Sequence, residues 1–411
     1  MSENANRAGP LAGMKVIELA HIMAGPVCGL MLADMGASVI KVEKFPGGDD
    51  SRRFLPPDIE GESAAFMMMN RNKRGIALDL KSDAGKEVLR RLLKDADVLI
   101  ENYRAGTMER LGFGYDELRK ANPGLIYCSL SGFGRTGPYA DRGGFDLIAQ
   151  GMSGLMSITG EAPGRPPVKC GAPITDITAG ILAAMGILAA YAHRLKTGEG
   201  QAVDTSLFEA GIAQTYWQSA ICFATGVSPG PMGSAHPLNG PYQAFETADG
   251  WITVGAANQA NWLRLIEVLD AKRLAKDPRF EFNAQRMANL KALEAELAPY
   301  FKSRTSSEWL ENFEKAGLPA GPVLDIAGMQ KDPQTLAREM VTQVEHPLIG
   351  PVQTIGLPVK FSETPGAVEV AAPLLGQHSR QVLAELGYAE DDIGDLIRQG
   401  VIGVPGAKRA A

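Results

Sequence analysis

Three segments near the start of the chain decide the fold: Met14-Lys15-Val16-Ile17-Glu18-Leu19, Val27 to Met35, and Ser38-Val39-Ile40-Lys41-Val42-Glu43. The first and the third are rich in apolar and β-branched residues, which is typical of buried strands. The second follows Ala24-Gly25-Pro26 and ends at Gly36, which predicts a short helix. A strand, a helix and a strand in succession form a βαβ unit, which predicts parallel strands and a right-handed crossover.

The same alternation continues along the chain. A helix is predicted from Ser82 to about Ala96, a strand at 97–101, a helix at 115–121 and a strand at 125–130. The alternation predicts an α/β protein with a doubly wound parallel sheet. A further apolar helix is predicted from Ile174 to about Leu195. Its apolar run falls short of the roughly 20 residues of a membrane span, so we expect a buried helix.

The character of the sequence changes after residue 225. Residues 226–241 are rich in Pro, Gly and Ser and are predicted to form a loop. Two short strands and leucine-rich charged helices follow. They predict a second, smaller α/β domain that ends near residue 325.

The composition excludes several classes of protein. Among 411 residues, 41 Lys and Arg face 47 Asp and Glu, so the net charge is −6. An acidic chain without a long basic run is not typical of a nucleic-acid binder. The four cysteines are far apart in sequence and form no CxxC pattern, which argues against a zinc site or a disulfide framework. The N-terminal residues lack an apolar segment, so we expect a cytoplasmic protein.

The segment Gly132-Phe133-Gly134-Arg135-Thr136-Gly137 follows a predicted strand and matches the GxGxxG pattern. A dinucleotide site requires a helix to begin within that pattern and an acidic residue about 20 residues later. Here Pro138 follows at once, and the next helix is expected only near Phe145. A glycine-rich turn is therefore predicted, and a nicotinamide-dependent oxidoreductase is disfavoured.

Asp176 is the second candidate for chemistry, because it is a single carboxylate at the head of the long apolar helix. One interpretation is an N-cap or first-turn acid that offsets the helix dipole. The other is a nucleophile that the helix N–H groups keep ionised, with small neighbours that leave room for a substrate.

Basic and amide residues follow several of the early strands. They can be solvated surface residues, or they can form a site for a polyphosphate ligand such as a nucleotide or coenzyme A (CoA), because strand carboxyl ends line the ligand crevice of an open α/β sheet. The five histidines have no Ser or Cys partner at motif spacing, and we expect them to be structural. The basic and amide set comprises Lys44, Asn72-Lys73-Arg74, Leu78-Asp79-Leu80-Lys81, Asn102-Tyr103-Arg104 and Arg110.

Over nearly its whole length the sequence resembles the family III CoA-transferases, the CaiB/BaiF type. The motifs that carry the resemblance are Ala24-Gly25-Pro26, residues 36–43, Asn70-Arg71-Asn72-Lys73-Arg74, Glu101-Asn102-Tyr103, residues 132–138, Gly144-Phe145-Asp146, residues 153–156, Thr159-Gly160, Asp176, residues 196–201 and residues 373–378.

The resemblance implies a large Rossmann-like CoA-binding domain built from both chain ends, residues 1–225 and 326–411. It also implies a small domain at 226–325 and two subunits interlocked as a homodimer. The catalytic aspartate falls on Asp176. CoA contacts fall on Met23, Ala24, Lys44, Leu78 to Lys81, Asn102, Tyr103, Arg104 and Arg110; substrate contacts fall on Phe145, Gly233, Ser234 and His236. CoA thioesters would be substrates, with no tightly bound cofactor or metal and no membrane or nucleic-acid partner.

The reaction that the resemblance implies is transfer of CoA from an acyl-CoA to a carboxylic acid, through an anhydride and a thioester on Asp176. Succinyl-CoA and a dicarboxylic acid are the expected pair, with His236 or Arg135 binding the distal carboxylate. Met23 stands where formyl-type relatives carry Gln, which argues against an oxalate/formate enzyme. Carnitine-type, formyl/oxalate-type and aromatic acids stay open as substrates. One alternative is an α-methylacyl-CoA racemase, which needs a proton-relaying His where this chain has Phe145. The other is a non-catalytic CoA-binding partner subunit.

Overall fold

The computed structural model describes residues 9–406, which divide into two compact units. The first unit contains the chain up to Ser153, Gly171–Gln214 and the chain from Pro333 onward. The second contains Gly154–Cys170 and Thr215–Asp332. The domain limits at residues 226 and 325 stay a prediction.

The described residues form 14 strands and 19 α-helices over the two units, and strands and helices alternate through most of the first unit. The strands are β1 (Lys15–Glu18), β2 (Ser38–Lys44), β3 (Asp58–Ile59), β4 (Glu62–Ser63), β5 (Arg74–Leu78), β6 (Val98–Glu101), β7 (Ile126–Ser131), β8 (Ala202–Ser206), β9 (Tyr242–Glu246), β10 (Trp251–Gly255), β11 (Ala320–Pro322), β12 (Val341–His346), β13 (Gly350–Ile355) and β14 (Ile402–Gly403). The helices are α1 (Ala24–Asp34), α2 (Ala64–Asn70), α3 (Asp83–Lys94), α4 (Thr107–Leu111), α5 (Tyr115–Ala121), α6 (Asp146–Met152), α7 (Leu155–Ile158), α8 (Ile174–Thr197), α9 (Leu207–Ala213), α10 (Tyr216–Thr225), α11 (Gln259–Val268), α12 (Lys272–Ala275), α13 (Asn283–Ala288), α14 (Leu290–Phe301), α15 (Ser306–Lys315), α16 (Ile326–Lys331), α17 (Pro333–Ala337), α18 (Ser379–Glu385) and α19 (Glu390–Arg398), with a 3₁₀ turn at Asp50–Arg53.

The first unit is built on a seven-stranded sheet in the order β14-β5-β2-β1-β6-β7-β8. All neighbouring strands are parallel except β14, which pairs antiparallel with β5. Strands are added on both sides of β1, so the carboxyl ends of β1, β2, β6 and β7 lie at one edge. This confirms the prediction of an α/β fold with a large, mainly parallel sheet.

The sequence did not indicate β5 or β14. The segment Asn72-Lys73-Arg74 leads into β5, and its charges are typical of a surface loop rather than of a buried strand. These charges are neutralised in the fold: Lys73 pairs with Glu18 at 2.8 Å and Arg74 with Glu385 at 2.7 Å. Partners distant in sequence thus permit a strand that local composition disfavours.

The apolar segment after β8, which resembles one continuous helix in sequence, forms two separate helices, α9 and α10. The break at Gln214 and Thr215 coincides with the limit between the two units. The charged helices of the middle segment are likewise divided, into α11 with α12 and α13 with α14. The segment 226–241 forms no strand or helix, as predicted.

Helix α8 packs against α1, and a glycine makes the approach possible. A Cβ built on Gly180 would lie 2.7 Å from the carbonyl oxygen of Ala24. Because Gly180 lies one turn after Asp176, this packing brings the start of α8 to the start of α1. Among the described helices, α8 alone is long and apolar enough to cross a membrane, a property that it shares with core helices of α/β proteins. One side of α8 is buried, whereas Ile181 and Met185 are exposed.

The second unit has its own core. Strands β11, β10 and β9 form an antiparallel sheet, on which aromatic side chains from α11, α14 and α15 pack. Phe245 stacks on Phe301 at 4.2 Å between ring centroids, and Trp309 stacks on Phe313 at 5.6 Å. This core buries enough apolar surface to order the unit.

Candidate active site

Asp176 lies in the first turn of α8 and is partly buried. The N-cap position is occupied by Pro173, so Asp176 is a first-turn acid and not the cap. Among the described residues, no donor forms a hydrogen bond with the Asp176 carboxylate. The carboxylate is therefore not held by the protein and is available to a ligand.

Burial raises the pKa of Asp176 from its ordinary 3.8 to about 7, and the nearby charge of Asp146 adds to this effect. The expectation that the helix N–H groups keep Asp176 ionised was therefore wrong. Loss of hydration and repulsion by a like charge outweigh the helix dipole at this position. Near neutral pH, the side chain exists in both protonation states.

Asp146, the first residue of α6, fixes the start of α8. Its Oδ1 accepts hydrogen bonds from the backbone N–H of Thr175 at 3.0 Å and from the Thr175 hydroxyl at 2.7 Å. Gln150 donates to the other oxygen at 2.7 Å. The residue next to Asp176 is thus tied to a second helix, which restricts the position of the nucleophile candidate.

Asp176 opens on a cavity of about 370 Å³ within the first unit. The cavity lies where β1, β2, β6 and β7 end, as expected of an open α/β sheet. Seven of the predicted residues line it: Met23, Ala24, Lys44, Asn102, Tyr103, Phe145 and Asp176. The lining also includes residues that the sequence did not single out as ligand contacts: His21, Ile22, Asp50, Leu130, Ser131, Gly132, Gly144 and Leu207.

Two glycines bring the loops after β7 together at this cavity. A Cβ on Gly132 would lie 2.6 Å from the Cα of Gly144, so neither position has room for a side chain. After Gly132, the chain turns, and the backbone N–H of Gly134 donates to the Ser131 hydroxyl at 2.8 Å. Between the end of β7 at Ser131 and the start of α6 at Asp146, no helix begins. This confirms the glycine-rich turn predicted at 132–137.

The predicted CoA contacts at residues 78–81, Arg104 and Arg110 do not line this cavity, and four of them are Leu78, Lys81, Arg104 and Arg110. Leu78 is fully buried in β5, and its carbonyl accepts a hydrogen bond from the backbone N–H of Phe45 at 2.9 Å. Lys81 is exposed after β5, and Arg110 is exposed on α4, where its guanidinium donates to Thr107 at 2.9 Å. Arg104 lines a neighbouring cavity of about 350 Å³ together with Glu101 and residues of α4. Contact of these four residues with CoA stays a prediction.

Gly233, Ser234 and His236 belong to the second unit. Gly233 and Ser234 line a cavity of about 830 Å³ there. The His236 ring stacks on Tyr242 at 5.2 Å and meets Trp217 edge-on at 6.1 Å. The substrate role of these three residues also stays a prediction.

The Arg135 guanidinium is engaged within the first unit, which leaves fewer of its N–H groups for a substrate. Its Nη2 donates to Glu101 Oε1 at 2.5 Å, and Glu101 is almost fully buried. Glu101 also accepts hydrogen bonds from the Ser129 hydroxyl at 2.7 Å and from the backbone N–H of Tyr103 at 2.8 Å. Arg135 is therefore committed to supporting the loop that carries Asn102 and Tyr103.

His21 is the one histidine that lines the cavity. Its Nε2 lies 3.1 Å from the Tyr103 hydroxyl, and burial lowers its pKa. Its backbone is bracketed by Asn102, whose amide accepts from the His21 N–H and donates to the His21 carbonyl, both at 2.8 Å. The sequence signal was its place directly after β1, where ligand-crevice residues are found. Phe145, 68% exposed, offers no group that can relay a proton.

The comparisons with known proteins agree with the fold. The family model described as CoA-transferase family III matches residues 11–379. A succinate–glutarate CoA-transferase of Agrobacterium fabrum is 41% identical over 396 residues, 95% of this chain and 99% of that protein. A succinyl-CoA:mesaconate CoA-transferase of Haloarcula hispanica is 40% identical, covering 92% of this chain and 97% of that protein.

A solved structure shares the fold. The crystal structure of a CAIB/BAIF family protein from Brucella suis superimposes with a TM-score of 0.83 at 41% identity, covering 92% of this chain and all of that one. The chain therefore belongs to CoA-transferase family III. It is an enzyme that transfers CoA between an acyl-CoA and a carboxylic acid, as the sequence resemblance indicated.

Proposed function

We propose that Asp176 is the covalent nucleophile of this CoA-transferase. One observation carries the proposal: Asp176 is a partly buried carboxylate without a hydrogen-bond donor from the described residues, and it opens on the cavity where seven predicted site residues meet. A carboxylate in this setting is poorly hydrated, so less solvation is lost when it attacks a carbonyl carbon.

The transfer consists of four acyl exchanges. The Asp176 carboxylate attacks the thioester carbonyl; a C–O bond forms, the C–S bond breaks and CoA thiolate leaves. The thiolate attacks the aspartyl carbonyl of the resulting anhydride, which forms an aspartyl-CoA thioester and releases the donor acid. The acceptor carboxylate attacks this thioester and expels the thiolate again. The thiolate then attacks the acceptor carbonyl, so that the new acyl-CoA leaves and Asp176 is regenerated. No electron or net proton is consumed.

The cavity accounts for CoA binding close to this nucleophile. Lys44 supplies a cation for a phosphate group, and it now pairs with Asp50 at 2.6 Å. Asn102 and Tyr103 also line the cavity, and Met23 and Ala24 lie at the start of α1. Exclusion of water from this space protects the anhydride from hydrolysis.

The proposed substrates are succinyl-CoA as donor and a dicarboxylic acid as acceptor. Both relatives named above carry names with succinate or succinyl-CoA and a second dicarboxylic acid. Within the chain, His236 is the candidate that remains for the distal carboxylate. Its Nδ1 accepts the backbone N–H of Leu238 at 3.1 Å, so a neutral ring carries its proton on Nε2 and can donate to an anion.

We also propose a cytoplasmic, interlocked homodimer. Exposed apolar side chains on long helices support association, because monomers rarely leave so many uncovered. Ile181, Met185 and Leu195 are 48%, 61% and 72% exposed on α8, and Phe223 is 88% exposed on α10. The four cysteines are free thiols, which suits a reducing compartment.

A panel of acyl-CoA donors and carboxylic acid acceptors, read by mass spectrometry, tests the function. Succinyl-CoA with glutarate or mesaconate should give the new acyl-CoA, and Asp176→Asn should abolish its formation while CoA still binds. Asp116→Asn, an exposed acid of α5, serves as the control and should retain activity. Transfer from other donors but not from succinyl-CoA would overturn the substrate proposal, and a fully active Asp176→Asn enzyme would overturn the nucleophile.

A further inference from the structure

Ile22, on the wall of the Asp176 cavity, has a backbone conformation that isoleucine rarely adopts. Its φ angle is +67°, in the left-handed region. A β-branched side chain is disfavoured there, because it crowds the adjacent carbonyl groups. Such a conformation persists only where the surroundings enforce it.

Three side chains hold the segment around Ile22. The carboxylate of Asp49 accepts the Ile22 N–H at 3.0 Å. Lys41 donates to the carbonyl of Ala20 at 2.9 Å, and Asn102 brackets the backbone of His21. The segment is therefore held at each of three consecutive residues, and only the contact of Asp49 acts directly on Ile22.

Asp49 is itself held by a buried charge network. Lys41 Nζ lies 2.9 Å from both Asp49 and Glu18, and Lys73 pairs with the other oxygen of Glu18 at 2.8 Å. The side chains of all four residues have no exposed surface. Ser51 adds two hydrogen bonds to the same oxygen of Asp49 that binds Ile22, at 2.9 and 2.8 Å. A buried network with every member paired has little freedom to rearrange.

We propose that Asp49 is a positioning residue for CoA transfer: it holds Ile22 in its strained conformation and thereby fixes Met23 and Ala24 on the cavity that contains Asp176. This inference rests on the proposed function of the cavity. Ile22 joins β1 to α1, so a change in its φ angle redirects the chain that follows. Met23 and Ala24 would then move relative to the first turn of α8.

The test is a double-mutant cycle of Asp49 and Ile22. For each variant, kcat, the KM for acyl-CoA and the melting temperature are measured. Asp49→Ala should lower kcat about 100-fold, the effect expected of a displacement of about 1 Å at a reacting site. Glycine adopts a positive φ without crowding, so adding Ile22→Gly to Asp49→Ala should restore kcat at least about tenfold. Lys41 stays without its Asp49 partner in the double variant, so the melting temperature should remain low.

Matched variants separate positioning from stability. Asp34→Ala removes another buried carboxylate of the first unit, which pairs with Arg71 at 2.6 Å away from the cavity. Asp34→Ala should lower the melting temperature but leave kcat within about threefold of the wild-type value. Adding Ile22→Gly to Asp34→Ala should not raise kcat. If Asp49→Ala does not fold, Asp49→Leu, which is close in shape but has no oxygen to accept the Ile22 N–H, replaces it in the same cycle.

Two results would overturn the positioning role. One is an Asp49 variant that keeps wild-type kcat. The other is a folded Asp49 variant whose kcat Ile22→Gly does not raise. Failure of the proposed function itself is distinguishable, because then the wild-type enzyme would not transfer CoA, or Asp176→Asn would still do so.

Discussion

The raised pKa of Asp176 predicts that this side chain reduces the stability of the folded protein at neutral and alkaline pH. In the unfolded chain, the carboxyl loses its proton near 3.8, whereas in the fold it keeps the proton to about 7. Between these values, the folded state binds more protons, so the free energy of unfolding falls as the pH rises. Asp176→Asn removes this titration, because the amide stays neutral.

The magnitude follows from the same values. Each pH unit between 3.8 and 7 costs about 1.4 kcal/mol, which gives an upper limit of about 4 kcal/mol. Because Asp176 is only partly buried, solvent screens part of the effect, and we expect about 2 kcal/mol. Relative to wild type, Asp176→Asn should therefore gain about 2 kcal/mol of stability between pH 4.5 and pH 8.5.

Denaturant unfolding of both proteins at the two pH values, at one protein concentration, measures this difference. Other groups titrate in the same range, but they contribute equally to both proteins and cancel. A gain that is absent, or a variant that becomes relatively less stable as the pH rises, would refute the reasoning. Asp116→Asn should show no such gain, because its carboxylate is exposed.

Three further predictions concern the cavity. Asp146→Asn should move the midpoint of the rise of kcat/KM with pH below about 7, because it removes the charge that helps to raise the pKa of Asp176; a pH–rate profile with an unchanged or higher midpoint contradicts this. Lys44→Ala should raise KM for acyl-CoA about tenfold through loss of a charged phosphate contact, measured by steady-state kinetics; an unchanged KM counts against the contact. Gly132→Ala should lower both kcat and the melting temperature, because the new Cβ meets Gly144 at 2.6 Å; normal activity and stability would show that the loops can separate.

Two variants serve as controls for these predictions. Lys94→Ala removes an exposed lysine at the end of α3 and should leave KM unchanged. Gly321→Ala in β11 places a Cβ at an ordinary contact distance of 3.7 Å from Thr253, so activity should be retained.

The central part of the site was predictable, because it depends on local features. Strand ends after β1, β2 and β6 place Lys44 and Asn102 at one edge of a parallel sheet, and the apolar helix after Pro173 places Asp176 in a first turn. The residues that support these groups were not predictable. From the sequence alone, Lys41 is expected to be an exposed residue of a strand. In the fold, the loop after β2 brings the Asp49 carboxylate to 2.9 Å from Lys41 Nζ.

Long-range partners also changed the interpretation of single residues. Arg135 was a candidate for substrate binding, but Glu101 engages it from another strand. The ionisation state of Asp176 depends on burial and on Asp146, which is 30 positions away in sequence. The positive φ angle of Ile22 has no sequence signature, since its hydrogen-bond partner Asp49 lies 27 positions away in sequence.

Mass spectrometry of the enzyme mixed with acyl-CoA, quenched in acid and digested, tests the central claim most directly. The peptide that contains Asp176 should carry CoA as a thioester, and hydroxylamine should convert that adduct into a hydroxamate at the same residue. Turnover without any adduct on this peptide, or an adduct on another side chain, would contradict covalent transfer through Asp176.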